Sequence, residues 1–305
     1  MGPWVWVGFL ALVAVLLVAD LLLVHRTAHV ITTKEAAIES AVWISCGLAF
    51  AGVVWLAWGA QAAGEYVSGY LVEKSLSVDN VFVWAIILSY FAVPRAYQFR
   101  VLFWGVFGAL VLRFAFIFAG VGLLDRFEWM LFVFGGFLIF TAYRLLRHDE
   151  AEINPENNPV LALVRRVVPS TAEYHGQSLF TRENAKRVAT PLFAVLVVIE
   201  TSDVVFAVDS IPAILAVSRH TFIVFSSNAF AILGLRALYF LLADLRDRFH
   251  FLQPGLAVIL AFVGTKMILA RWFHIPTFLS LGVIAGVLTV AIVASMRLPR
   301  PASSP

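Results

Sequence analysis

Charge is what this chain has least of. Only 13% of its 305 residues are Asp, Glu, Lys or Arg, against 61% hydrophobic, and its mean hydropathy is +0.90. Soluble domains carry about a quarter charged residues, and a chain this size with so few could not cover its apolar side chains. Cysteine is nearly missing: Cys46 stands alone, which rules out an internal disulfide and reads as a small buried hydrophobe. The first apolar run, "MGPWVWVGFLALVAVLLVADLLLV", has no Lys or Arg ahead of it and is long enough to span, so it reads as a membrane helix and not a cleavable leader. Gly-x-Ser-x-Gly, His-Glu-x-x-His and nucleotide-binding motifs are all missing. Neither an enzyme nor a nucleotide-driven pump is expected, nor a permanently bound cofactor, nor a nucleic-acid partner.

What the chain has instead is apolar sequence in spanning lengths. Such stretches lie near 4–24, 37–58, 66–91, 97–121, 127–147, 190–215, 219–243, 251–272 and 275–296. The expected fold is all-α: a polytopic membrane protein of about nine transmembrane helices, forming one membrane domain over 1–305 in contact with lipid. Lys and Arg sort by side. With the N-terminus outside, the inner segments hold Arg26, Lys34, Arg95, Arg100, the seven bases of 144–190, Arg246, Arg248, Arg297 and Arg300. The outer connections hold only Arg126, Arg219 and Arg271. The positive-inside rule then puts the N-terminus outside and the C-terminus in the cytoplasm. Residues 148–189 form the one real loop, read as a cytoplasmic linker with an amphipathic piece at 160–168 and too short for a domain.

An internal repeat is legible. "FGALVLR" at 107–113 matches "FAILGLR" at 230–236, "DNVF" at 79–82 matches "DVVF" at 203–206, and "FTAYR" at 140–144 aligns with "FVGTK" at 262–266. The offsets are nearly equal. They predict a three-helix unit, helices three to five (66–147), repeated as helices six to eight (190–272). An offset of three helices inverts the second unit in the membrane. Inverted repeats build many secondary transporters, with the site at the midplane between the units.

The apolar runs also hold charge. A carboxylate at a helix centre costs about 2.5–3.5 kcal/mol on insertion scales, yet Glu73, Asp79, Glu200, Asp203 and Asp209 lie there, with Glu39 near the inner end of helix two. The counter-charges are Arg113, Arg236, Lys74 and Lys266, of which the lysines have stems long enough to snorkel. Acids outnumber bases, and excess carboxylate in low dielectric calls for a cation or a proton. In "ETSDVVFAVDSIP", Glu200 and Asp203 share a helical face, and Pro212 is expected to open the helix beside Asp209. Asn80 adds an amide next to Asp79. Thr201, Ser202, Ser210, Asn228 and Glu39 are candidate secondary ligands. An oxygen-only set suits Mg, Ca or Mn. His25 and His29, spaced i, i+4, have no third ligand in view and are not read as a metal pair.

"EKSLSVDNVF" (73–82), "FAVDSIPAI" (206–214), "FSSNAFAILGLRALYFLL" (225–242) and the loop stretch "PSTAEYHG" (169–176) resemble the TerC family of membrane proteins, named for tellurium resistance. The resemblance implies an inverted-repeat metal-ion transporter of the bacterial cytoplasmic membrane, with manganese efflux as its activity and Mn2+ as substrate. It also implies that Glu73, Asp79, Asn80, Glu200, Asp203 and Asp209 are the site and that Arg113 and Arg236 are its intramembrane arginines. "ETSD" departs from the family pattern at Thr201 and Ser202, which bears on selectivity. The rival expectation is a non-transporting membrane scaffold of a tellurite, metal-stress or protein-export complex, in which the charges are structural pairs. The excess of acids favours transport.

Overall fold

In this computed structural model the described residues are 2–21, 31–127, 129–147, 171, 173–183, 186–242, 251–270, 272–273 and 275–297. The side chains of Asp79, Glu183, Lys186, Asp209 and Leu252 lie outside the description, as do His25, His29 and the stretch 160–168. The helices are α1 (Pro3–Ala19), α2 (Thr33–Tyr90), α3 (Arg95–Arg126), α4 (Met130–Arg147), α5 (Pro191–Leu215), α6 (Thr221–Leu233), α7 (Leu235–Leu242), α8 (Leu252–Leu269) and α9 (Thr277–Arg297). A two-stranded hairpin, β1 (Phe180–Glu183) and β2 (Lys186–Ala189), precedes α5. Among the described residues six helical segments, with α6 and α7 taken as one, are long and apolar enough to cross a membrane by length and composition; α1 and α8 are shorter apolar helices. The protein is an all-α polytopic membrane protein.

α2 is two helices folded against each other. Gly59, at φ 84° and ψ 178°, is the only residue inside it with non-helical torsions, in a region open essentially to glycine alone. The two arms, 33–58 and 60–90, lie side by side: Tyr66 Oη donates to the Gly47 carbonyl at 3.0 Å, and a Cβ on Gly47 would sit 2.8 Å from the Tyr70 ring. A capping box opens the first arm, with Thr32 Oγ1 accepting from the Glu35 amide and the Glu35 carboxylate accepting from the Thr32 amide.

α6 is the central helix. It is buried at every position from Phe222 to Leu233 and packs on α1, α2 and α3. A helix apolar all round, surrounded by other helices, needs no amphipathic stripe. It ends at Gly234 and the chain continues as α7. Three further crossings set the bundle: the second arm of α2 on α6, α3 on α5, and α4 on α8. At the last, Gly135 and Gly264 meet backbone to backbone, since a Cβ on either would lie under 3 Å from the other's carbonyl oxygen.

Two expectations fail here. α5 runs unbroken through Pro212 to Leu215. Pro212 still leaves the Val208 carbonyl without its N–H partner, but the helix carries that loss without a break. The backbone breaks fall at Gly59 and Gly234 instead. The long loop is also not wholly irregular, because its 180–189 stretch pairs as an antiparallel hairpin with Phe180 opposite Ala189. The loop is docked: Tyr174 Oη donates to the Phe91 carbonyl at 2.6 Å, and Gln177 Nε2 to that of Ala96 at 3.2 Å.

Candidate functional site

The opening acid of "EKSLSVDNVF" is fully buried and fully engaged. Glu73 sits on the second arm of α2 and forms an ion pair with Arg113 of α3. Ser77 Oγ donates to its Oε1 at 3.0 Å and Asn228 Nδ2 to its Oε2 at 3.1 Å. Arg113 Nη1 also donates to Asn228 Oδ1 at 3.1 Å. Three helices are thus joined by one neutral cluster at the centre of the bundle. A buried pair stabilises only when such extra hydrogen bonds complete it.

Asp203 of α5 faces the same cluster without joining it. It is 3% exposed and its Oδ2 has no hydrogen-bond partner. Its electrostatic neighbours are Arg113, Glu200 and Glu73. Glu200 lies one turn earlier on α5. Its carboxylate rests on the bare backbone of Gly108 in α3, where a Cβ would overlap it. Of the two carboxylates near the Arg113 guanidinium, Glu73 is the one paired with it. Among the described residues Glu200 and Asp203 are left without an ion-pair partner. Among the described residues no group of three or more His, Cys, Asp or Glu stands close enough to hold a metal ion. Asp79 on α2 and Asp209 on α5 have their side chains outside the description.

Other expected ligands are placed elsewhere. Thr201 and Ser202 turn their hydroxyls to the Val197 and Val198 carbonyls of their own helix, at 2.7 and 2.9 Å. Ser210 is buried with no partner for its hydroxyl, and Asn80 is buried on α2. Lys74 does not snorkel. Its Nζ donates to the Ala231 carbonyl at 3.2 Å, over the C-terminal end of α6, where the free carbonyls favour a cation. Lys266 of α8 has Glu65 as its electrostatic partner.

A second ionic cluster was not anticipated. Arg236 of α7 makes a bidentate pair with Asp20 at the end of α1, both contacts at 2.5 Å. Its Nη2 lies 3.6 Å from Glu39, and its guanidinium stands 4.1 Å over the Phe99 ring. Arg236 and Glu39 therefore belong to this cluster and not to the group around Asp203. The signal for Asp20 was a lone acid within the first apolar run. Gly108 had a weaker one, its place in the repeated "FGALVLR".

The sequence profile of the "Integral membrane protein TerC family" matches residues 58–303. The chain belongs to the TerC family. It is similar to "Uncharacterized membrane protein STKORF319" of Myxococcus xanthus, 49% identical over 97% of this chain and 92% of that protein. The "Putative membrane-bound redox modulator Alx" of Escherichia coli strain K12 is 46% identical over 95% of this chain and 94% of its own length. An "Uncharacterized membrane protein" of Rickettsia bellii is 36% identical over 95% and 96%. No solved structure matches. The TerC chain here is a multi-pass integral membrane protein with bacterial relatives, and the buried acids just described all lie on its membrane helices.

Proposed function

We propose that this TerC protein is a secondary transporter that exports a hard divalent cation, Mn2+ before others, across the bacterial cytoplasmic membrane. One observation carries the reading. Glu73 is neutralised by Arg113, which leaves Glu200 and Asp203 as two surplus carboxylates in the bundle interior, the complement of one divalent ion. An all-oxygen ligand set selects hard cations. Asp79, Asn80 and Asp209, on the helices that bound this space, are its further ligands. Glu73, Arg113 and Asn228 act as the fixed neutral wall beside it.

The helix crossings support an inverted repeat. Exchanging expected helices three, four and five for six, seven and eight turns the α2–α6 crossing into the α3–α5 one and leaves α4–α8 as itself. In transporters built of two units related in this way, the site forms between the units near the midplane. With the N-terminus outside and the C-terminus inside, the docked loop lies on the cytoplasmic face.

The name given to the Escherichia coli relative suggests membrane redox modulation instead. A dithiol couple within one chain is not available to this protein, since Cys46 is its sole thiol. The scaffold reading accounts for Arg113 and Arg236 with their partners and leaves Asp203 and Glu200 without a role. The deciding experiment is Mn2+ flux in proteoliposomes holding only this protein, with Asp203→Asn beside the parent chain. Asp203→Asn keeps shape and removes one charge, so flux per folded molecule should fall at least tenfold at an unchanged melting temperature. Parent-level flux in Asp203→Asn, with Asp79→Asn and Asp209→Asn agreeing, would return the acids to the scaffold.

A further inference from the structure

α3 meets α5 along a row of glycines. A Cβ on Gly105 would come 2.9 Å from Ile199 Cγ2, and one on Gly120 2.8 Å from Leu215 Cδ1. These are ordinary close approaches of small residue to apolar side chain. Gly108, between them, is different in kind. What fills the space above it is the carboxylate of Glu200, and a Cβ there would overlap Oε1, Oε2 and Cδ together. Gly122 on the same helix has open space instead. A mid-helix glycine is less favourable than alanine, and at 108, unlike at 122, the carboxylate seated on the bare backbone supplies a steric reason for it.

The other unit of the repeat sharpens the point. "FGALVLR" aligns with "FAILGLR", so Gly108 corresponds to Ala231. At that crossing the group arriving from the neighbouring helix is the ammonium of Lys74, on the Ala231 carbonyl. One crossing receives an anion over Gly108, and its counterpart receives a cation, bonded to the Ala231 carbonyl and lying over Gly234, where a Cβ would come 2.9 Å from Lys74 Nζ.

We propose that Gly108 is the positioning residue of the cation site: its missing side chain seats the Glu200 carboxylate beside Asp203, and the paired crossing, filled by Lys74, offers no second site. This rests on the reading of Glu200 and Asp203 as ligands. Any side chain at 108 drives the Glu200 carboxylate away from α3 and off the position it shares with Asp203. The space lost equals about one methyl group, so shortening the acid by one methylene relieves the overlap.

The test uses the full-length protein with four variants: Gly108→Ala, Glu200→Asp, the two combined, and Gly122→Ala as control. Readouts are Mn2+ flux in proteoliposomes, Mn2+ binding by electron paramagnetic resonance, melting temperature, and the rate at which a hydrophobic carbodiimide modifies Glu200. Gly108→Ala should lose flux and binding at least tenfold and change the Glu200 modification rate by severalfold. The combined variant should recover severalfold over Gly108→Ala, and Gly122→Ala should match the parent. A combined variant no better than Gly108→Ala overturns the steric account. Parent-level flux, binding and modification in Gly108→Ala overturn the proposal outright. If Gly108→Ala does not fold, the same overlap requires that the combined variant does, and a double variant equally unstable overturns it. Should the parent protein neither bind nor move Mn2+, the function reading fails, and the carbodiimide rate at Glu200 alone decides whether Gly108 seats that carboxylate.

Discussion

Replacing Glu73 by Gln removes the one carboxylate that forms an ion pair with Arg113 among the described residues, leaving the guanidinium buried with Asn228 as a hydrogen-bond partner and Asp203 near it without an ion pair. Breaking a buried pair in this way costs about 3–5 kcal/mol, because the remaining charge is stranded. Glu73→Gln should therefore lower the melting temperature in detergent sharply, whatever it does to transport. Asp203→Asn should not, because a surplus buried carboxylate carries a desolvation cost that its removal relieves. Two acids within one cluster are thus expected to separate into a structural and a functional class. Equal melting temperatures in the two variants would mean that Arg113 does not depend on Glu73.

At the scale of elements, the break in α2 and the docking of the long loop each rest on few groups. Gly59 turns the chain back with torsions that an L side chain adopts only at about 1–3 kcal/mol. Gly59→Ala should lower thermal stability by that order, and an unchanged melt would show that the hairpin tolerates another turn. Tyr174 holds the loop to the end of α2 through the Phe91 carbonyl. Burial holds its phenol above the ordinary value of about 10. A raised folded-state value means that the neutral phenol is the stabilised form. Its contribution is complete below the unfolded value and is lost as pH rises through the higher folded one. An ultraviolet difference titration of the parent against Tyr174→Phe should place the Tyr174 midpoint above 10. A midpoint at or below that value would undo the docking.

For the whole molecule, orientation decides which face carries the docked loop, whereas the expected inversion of the repeat follows from its three-helix offset in either orientation. Cys46→Ala gives a thiol-free background. In it, cysteines at the exposed positions Ala60 and Arg219 should react with an impermeant reagent in intact cells. Cysteines at Glu173 and Arg297, also exposed, should be protected until the membrane is opened. Labelling of Glu173→Cys from outside would reverse the topology and place the docked loop on the outer face. The bundle also gains its unity from charge. Arg236 ties α1 and the first arm of α2 to α7, while Arg113 ties the second arm of α2 to α3 and α6. Together these clusters hold the flanking helices and the repeated ones as one body.

Membrane class, helical fold and the places of the helices were legible because hydrocarbon imposes one rule: every backbone group must be satisfied within the segment, so apolar length alone marks a helix. Each expected span overlaps a described helix, the second and third meeting the two arms of α2, the seventh divided between α6 and α7, and the first and eighth meeting only the shorter helices α1 and α8. The acid-rich stretches were legible for the same reason, since a charge in such sequence stands out by its cost. Partnership was not legible. Glu73 and Glu200 look alike in sequence, and only the packing of α2 and α5 against α3 gives the first an arginine and the second a bare glycine. Asp20 shows the limit from the other side: one acid in an apolar run carries no sign that Arg236, 216 residues away, is its partner. Pro212 misled because a missing hydrogen bond at the Val208 carbonyl is a local cost that the surrounding helix can carry without opening. Sequence determines which groups are costly to bury, whereas the fold decides which of them are neutralised and which are left without a counter-charge.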